Sequence, residues 1–150
     1  MSAPADCIDV VEAPCGSDLH RRSLALREAV LRAPLGLTLT EEELSEEEGR
    51  THFCAVSGGH VVGSVSLKPL DAATLQLKQM VVAEDRRREK IGVRLLVRAE
   101  EWAKAAGYRL MVLDARIGAE GFYSRFGYAS EGEPFEETKL PHIRMTKRLA

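Results

Sequence analysis

Arg86, Arg87, Arg88 and Lys90 crowd the approach to Ile91, where a long helix is expected to begin. A helix start already presents unsatisfied N–H groups and the positive end of its dipole, so added cations repel it. They become favourable when an anion sits among them, and a helix N-terminus is a natural phosphate site. The plainer reading of the same residues is a solvated turn, salt-bridged by Glu84, Asp85 and Glu89. The second stretch with chemical potential is Arg116–Tyr128, RIGAEGFYSRFGY. By residue type alone Phe122 and Phe126 are core and Tyr123 is a surface aromatic. Cys7, Cys15 and Cys54 are odd in number and follow no metal or redox spacing, so they read as reduced structural cysteines, with no metal expected.

The cationic turn needs a strand before it and a helix after it. Leu75–Val82 is rich in branched apolar residues and ends in a Val-Val pair, a strand pattern. From Ile91, apolar positions at Gly92, Leu95, Leu96, Ala99, Trp102, Ala103 and Ala106 form one helical face, with Arg94, Arg98, Glu101 and Lys104 opposite. Glu100 and Lys104 stand at i, i+4 in the better order, and Gly107 stops the helix. Upstream, Cys7–Ala13 reads as a first strand and Ser17 or Asp18 as the cap of a helix to about Val30. Thr40 and Glu43 make a capping-box pattern for a short second helix, and the acidic run Glu41–Glu48 reads as a solvated face. Thr51–Val56 and Val61–Leu67 form a hairpin around Gly58-Gly59. Downstream, Arg109–Ala115 is a buried strand and Gly118–Phe126 a short helix. Tyr128–Glu133 and Ile143–Lys147 are the last strands, separated by the acidic 133–137 segment. The order β-α-α-β-β-β-α-β-α-β-β describes one mixed α/β (α+β) domain over residues 1–150, with 1–5 a loose end.

Val82–Leu96, VAEDRRREKIGVRLL, resembles the acyl-CoA-binding signature Q/R-x-x-G-x-G/A of the GNAT superfamily of N-acetyltransferases. Arg87 and Gly92 match its first and last positions, and Lys90 replaces its first glycine. Arg116–Tyr128 resembles a second motif of the same family, N-x-x-A-x-x-F-Y with a following hydrophobic-Gly-aromatic ending. Ala119, Phe122, Tyr123, Gly127 and Tyr128 match, and Arg116 stands where asparagine is usual. The resemblance implies the GNAT fold over essentially the whole chain, a mostly antiparallel sheet flanked by helices. The strands before and after the central helix would splay apart around the pantetheine of acetyl-CoA. It further implies that Arg87, Arg88 and the N–H groups of Lys90, Gly92 and Val93 hold the pyrophosphate. The backbone of Val81 and Val82 would pair with the pantetheine amides and polarise the thioester carbonyl. Arg116 would donate to the cofactor, and Tyr123 would protonate the leaving thiolate. The attacking amine must lose a proton, and Gln79 (through a water), Glu136, Glu137 and His142 are the residues considered on the acceptor side. Leu140–Met145, LPHIRM, resembles an ending found in a subset of the family, although a lone histidine is as readily a hydrogen-bonded structural residue.

Hydrophobic residues make up 45% and charged residues 29% of the chain, as in soluble globular domains. A net charge of −2 gives no bulk attraction to nucleic acid or an anionic membrane, and no apolar run reaches transmembrane length. No signal-peptide pattern opens the chain, so a cytoplasmic location is expected. The expected activity is transfer of an acetyl group from acetyl-CoA to a small-molecule or peptide amine, with a homodimer as a possible assembly. Two alternatives stand beside it. One is a non-catalytic acyl-CoA-binding sensor or interaction module of the same fold. The other is a nucleotide-binding domain, against which the absence of Walker and G-x-G-x-x-G patterns counts.

Overall fold

The computed structural model describes residues 7–149. The loose end expected at residues 1–5 lies outside them. Seven strands and four helices follow in the expected order: β1 (Ile8–Glu12), α1 (Asp18–Arg27), α2 (Glu41–Ser45), β2 (Thr51–Ser57), β3 (His60–Pro69), β4 (Thr74–Val82), α3 (Ile91–Ala105), β5 (Leu110–Arg116), α4 (Glu120–Ser124), β6 (Ala129–Glu137) and β7 (Leu140–Arg148). They build one sheet in the order β1-β2-β3-β4-β5-β7-β6. Every neighbouring pair is antiparallel except β4 and β5.

Local chemistry sets the boundaries. The Ser17 side chain accepts from the His20 N–H to cap α1, and Thr40 and Glu43 cap α2 reciprocally. The coil of α1 runs past the expected end at Val30 as a wider π turn to Arg32. Gly58 and Gly59 both take positive φ, 56° and 81°, which closes the β2–β3 hairpin in two residues. One expectation fails here. The acidic 133–137 segment is the end of β6, not a connection, and it turns directly into β7 through Thr138 and Lys139, both at positive φ.

The two faces of the sheet differ in kind. One is apolar: Phe53, Val65, Leu67, Leu75, Leu77, Met111, Leu113 and Met145 pack with Leu95, Leu96, Ala99 and Ala103 of α3. Gly63 of β3 lies under the first turn of α3, where a Cβ would come 2.9 Å from Ile91 Cγ2 and 3.1 Å from Leu95 Cδ1. Glu100, expected on the solvent face of α3 with Lys104, is buried instead. It accepts from the Tyr128 hydroxyl (2.7 Å) and from Lys147 Nζ (2.8 Å), joining α3 to β7 and to the segment after α4.

The other face is polar, and α1 covers part of it with polar residues. His20, Ser23 and Arg27 are the buried positions of α1, and its leucines are only half-buried. They surround Glu47, which corrects the reading of 41–48 as uniformly solvated, since Glu47 is 2% exposed. Arg27 donates to both Glu47 oxygens at 3.0 and 3.1 Å, His20 Nε2 lies 2.9 Å from Oε1, and Arg27 Nη2 also reaches Ser66 Oγ. His52 bridges Ser66 Oγ (2.8 Å) and the Glu47 carbonyl (2.9 Å). Ligand atoms of Cys15, His20 and His52 lie within 4.8 Å of one another, a cluster that spacing did not reveal. All four imidazole nitrogens of the pair already have hydrogen-bond partners in this network or in the Gly16 N–H.

Two outcomes follow from this packing. Gly63→Ala forces Ile91 and Leu95 away from the sheet and is expected to destabilise the fold by about 1–3 kcal/mol in urea unfolding. The second concerns pH. Burial holds the His52 imidazole below its usual range. The unfolded chain therefore takes up a proton that the folded one does not, and stability falls as pH drops below about 6.5. Burial alone would raise the Glu47 carboxyl, but the hydrogen bonds and charge of Arg27, with His20, outweigh it and hold the group low. Its contribution is therefore present above about pH 4.3 and is lost on further acidification. In unfolding free energies measured across this range, His52→Asn is expected to flatten the upper part of the acid slope and leave the lower part in place.

Candidate functional site

The site begins with a slip in β4. Ser64 pairs with Val81 and Ser66 with Lys78, so Gln79 and Met80 together oppose Val65. Gln79 takes φ 53°, the left-handed region, and its side chain accepts from Arg50 Nη1 at 3.4 Å. This is a β-bulge, and it reverses the alternation. Leu75 and Leu77 face the core before it, and Met80 and Val82 after it. The ladder from β4 to β5 stops at the same place: Thr74–Leu77 pair with Leu110–Leu113, and from Asp114 onward β5 pairs with β7 alone. The strands part as expected. The β5-facing backbone edge of β4 beyond Leu77 opens into a cleft of about 1240 Å³.

The start of α3 forms one end of this cleft. No side chain caps the helix, and its N-cap residue is Lys90 at φ 62°. Lysine thus occupies the left-handed conformation that glycine adopts without steric cost, and Arg88 does the same at φ 72°. The cations divide. Arg86 is held by Glu89 at 2.7 and 2.8 Å and reaches Ser57, as the salt-bridged reading expected. Arg87 and Arg88 are exposed, line the cleft, and have no ion pair among the described residues. Lys90, Gly92, Val93, Val81 and Val82 line it with them. A Cβ on Gly92 would meet Phe122 Cζ at 3.5 Å, an ordinary contact, so glycine or alanine fits there. These features suit a phosphate-bearing, extended donor: uncapped N–H groups and two unpaired guanidiniums at one end, an open strand edge in the middle.

Tyr123 lines the cleft from α4, with its ring edge-on to Phe122 (5.0 Å) and Tyr128 (5.9 Å). Its hydroxyl has no hydrogen-bond partner among the described residues, and burial pushes its pKa up to about 12. It is therefore a protonated, uncommitted phenol at neutral pH. Arg116, at the end of β5, is exposed on the same cleft.

The far end of the cleft is lined by residues from the α1–α2 connection, β4 and the β6–β7 turn. Gln79 and His142 are there; Glu136 is not, and its neighbour Glu137 is. His142 Nδ1 lies 2.8 Å from the Leu140 carbonyl, an acceptor, so Nδ1 carries a proton, and in the neutral ring the lone pair is on Nε2. Nε2 stands 3.8 Å from the Glu137 carboxylate, and the ring stacks on Phe135. The sequence reading missed the Arg50–Gln79 link and Lys78. Lys78 takes the face opposite Leu77 by ordinary alternation, and the bulge that places Gln79 by Arg50 is marked by no glycine.

Comparisons with known proteins bear on the fold and the family. The chain is 26% identical over 131 residues to the uncharacterized N-acetyltransferase YitI of Bacillus subtilis, covering 83% of this chain and 88% of that one. Its fold matches Escherichia coli ElaA with a TM-score of 0.80 at 21% identity, over 94% and 99% of the two chains. It also matches a GNAT family acetyltransferase from Elizabethkingia anophelis, solved with acetyl-CoA bound, with a TM-score of 0.73 at 20% identity over 95% and 98%. Residues 32–149 match the sequence model of the acetyltransferase (GNAT) domain, and the chain belongs to that family.

Proposed function

We propose that the protein is an N-acetyltransferase that moves an acetyl group from acetyl-CoA to a primary amine by direct attack in a ternary complex. The observation that carries this reading is the meeting, in one cleft, of an uncapped helix start, an open strand edge and an uncommitted tyrosine. Acetyl-CoA supplies a thioester whose thiol leaves when the amine attacks. Arg87, Arg88 and the first N–H groups of α3 at Lys90, Gly92 and Val93 bind the pyrophosphate, and Arg116 adds a donor. The β4 backbone at Val81 and Val82 pairs with the pantetheine amides and polarises the carbonyl. Tyr123 gives its proton to the departing sulfur. His142 Nε2 takes the proton of the amine, and Glu137 steadies the resulting imidazolium.

Calorimetric titration with acetyl-CoA is the first test. Wild type is expected to bind, and the double variant Arg87→Ala, Arg88→Ala to bind at least tenfold more weakly. If wild type does not bind, the reading fails. In amine-dependent release of free CoA, Tyr123→Phe is expected to lower kcat by roughly a hundredfold or more, with little change in the KM for acetyl-CoA. An unchanged kcat would remove the acid role. Lys90→Gly relieves a left-handed lysine worth about 1–2 kcal/mol, offset in part by the chain entropy of glycine. Its melting temperature is therefore expected to be no lower than that of wild type.

A further inference from the structure

We infer that Lys78 and Arg50 form an anion subsite at the acceptor end of the cleft, so that the preferred acceptor is an amine carrying an acidic group. This rests on the transferase reading for the word acceptor and names the substrate class of that site.

Lys78 sits on β4 immediately before the bulge and lines the cleft, half-buried. Its ammonium has no hydrogen bond and no ion pair among the described residues. Burial, eased by Glu137 and aggravated by the like charges of Arg50 and Lys68, lowers its pKa. Arg50 lines the same wall with its side chain only 5% exposed. Its Nη1 is shared between Glu47 Oε2 (3.5 Å) and Gln79 Oε1 (3.4 Å), both long contacts. Nη2 stands 4.0 Å from Glu46, and neither Nη2 nor Nε makes a hydrogen bond among the described residues. The two cations thus have donors to spare.

Most of the neighbouring carboxylates are committed elsewhere, and Arg50 keeps only long contacts to Glu47 and Glu46. Asp114 is held by Arg144 at 2.9 and 3.2 Å and accepts from Gln76, Glu47 is held by Arg27, and Glu43 is held by Arg32. What remains, Glu42, Glu46 and Glu137, is exposed, and Glu46 stands 4.0 Å from Arg50 Nη2. The cleft therefore has a cationic floor with open coordination and an acidic edge beside His142. A half-buried ammonium without a partner, such as Lys78, is costly, and an oxyanion would relieve it through charge-assisted hydrogen bonds while taking up the spare donors of Arg50. An acid-bearing amine matches both parts, its acid on Lys78 and Arg50 and its amine toward Glu137 and His142. A plain alkylamine leaves the floor unpaired, and a polyamine meets repulsion there.

The test uses β-alanine and taurine as acid-bearing probes, with n-propylamine and spermidine as acid-free ones. Binding is measured by calorimetry on the protein alone and preincubated with CoA, and turnover by release of CoA from acetyl-CoA. Lys78→Met keeps an unbranched side chain one atom shorter and removes the charge; Lys78→Arg keeps the charge. Wild type is expected to prefer β-alanine or taurine over n-propylamine by at least a hundredfold in kcat/KM. Lys78→Met is expected to weaken their binding at least tenfold, and Lys78→Arg to restore most of it. Equal binding by wild type and Lys78→Met, no binding of either acid-bearing probe, or a preference for n-propylamine or spermidine overturns the subsite. Lys78-dependent binding without acetyl transfer keeps the subsite and removes the transferase reading. Transfer to acid-free amines that ignores Lys78 does the reverse.

Discussion

The parting of β4 from β5 is the constraint on which the site depends. A parallel pair satisfies its backbone along the whole ladder, and opening it leaves polar groups that need another partner. Here the ladder ends at Leu77 and Leu113. The bulge at Gln79 sits immediately beyond, so the strand bends and its alternation reverses where the partner is lost. β5 stays ordered past this point because β7 pairs with it through Arg116. β4 stays ordered because β3 resumes pairing at Val81 and Val82. Each of the two strands is held on its outer side, and the inner edges are left open. Such an open edge can pair with an extended ligand that carries amide groups, as the proposed function requires.

The same bulge ties the cleft to the polar layer beneath α1. Gln79 holds a conformation that non-glycine residues rarely take, and such strain persists only where surrounding contacts over-determine it. Arg50 supplies one such contact, and Arg50 is itself drawn toward Glu47. Glu47 lies at the centre of Arg27, His20 and the His52–Ser66 pair. Breaking a buried pair of this kind typically costs about 3–5 kcal/mol, because one charge is left uncompensated. The layer ties α1, the turn after α2, β2 and β3 together at the edge of the cleft.

Much of this was legible beforehand, for identifiable reasons. The element order followed from period-2 and period-3.6 patterns, from the Ser17 and Thr40 caps and from the Gly58-Gly59 turn, all of which are local. The splayed strands and the cationic helix start came from two motifs that lie on adjacent elements. What escaped was non-local. Helix α1 carries three leucines, yet its buried residues are His20, Ser23 and Arg27, because the sheet face below it carries His52 and Ser66 and the turn before β2 adds Glu47. Glu47 and Glu100 look like ordinary surface glutamates until Arg27 and Tyr128, each at least 20 residues away, find them. The acidic end of β6 looks like a loop because its solvent exposure removes the alternation that marks a strand.

The turn before α3 shows how function is written over local preference. Two of its residues, Arg88 and Lys90, take left-handed backbone that glycine would supply at less steric cost. A cation also sits at the one helix terminus where charge of that sign is least welcome. Taken singly, both choices oppose folding. They fit the proposed reading of the turn as a receptor for negative charge, since an anion would meet the uncapped N–H groups and the Arg87 and Arg88 guanidiniums together. The division among the arginines fits this. Arg86 is spent on Glu89 and Ser57, while Arg87 and Arg88 have no carboxylate partner among the described residues. A turn built only for stability would have paired them as well.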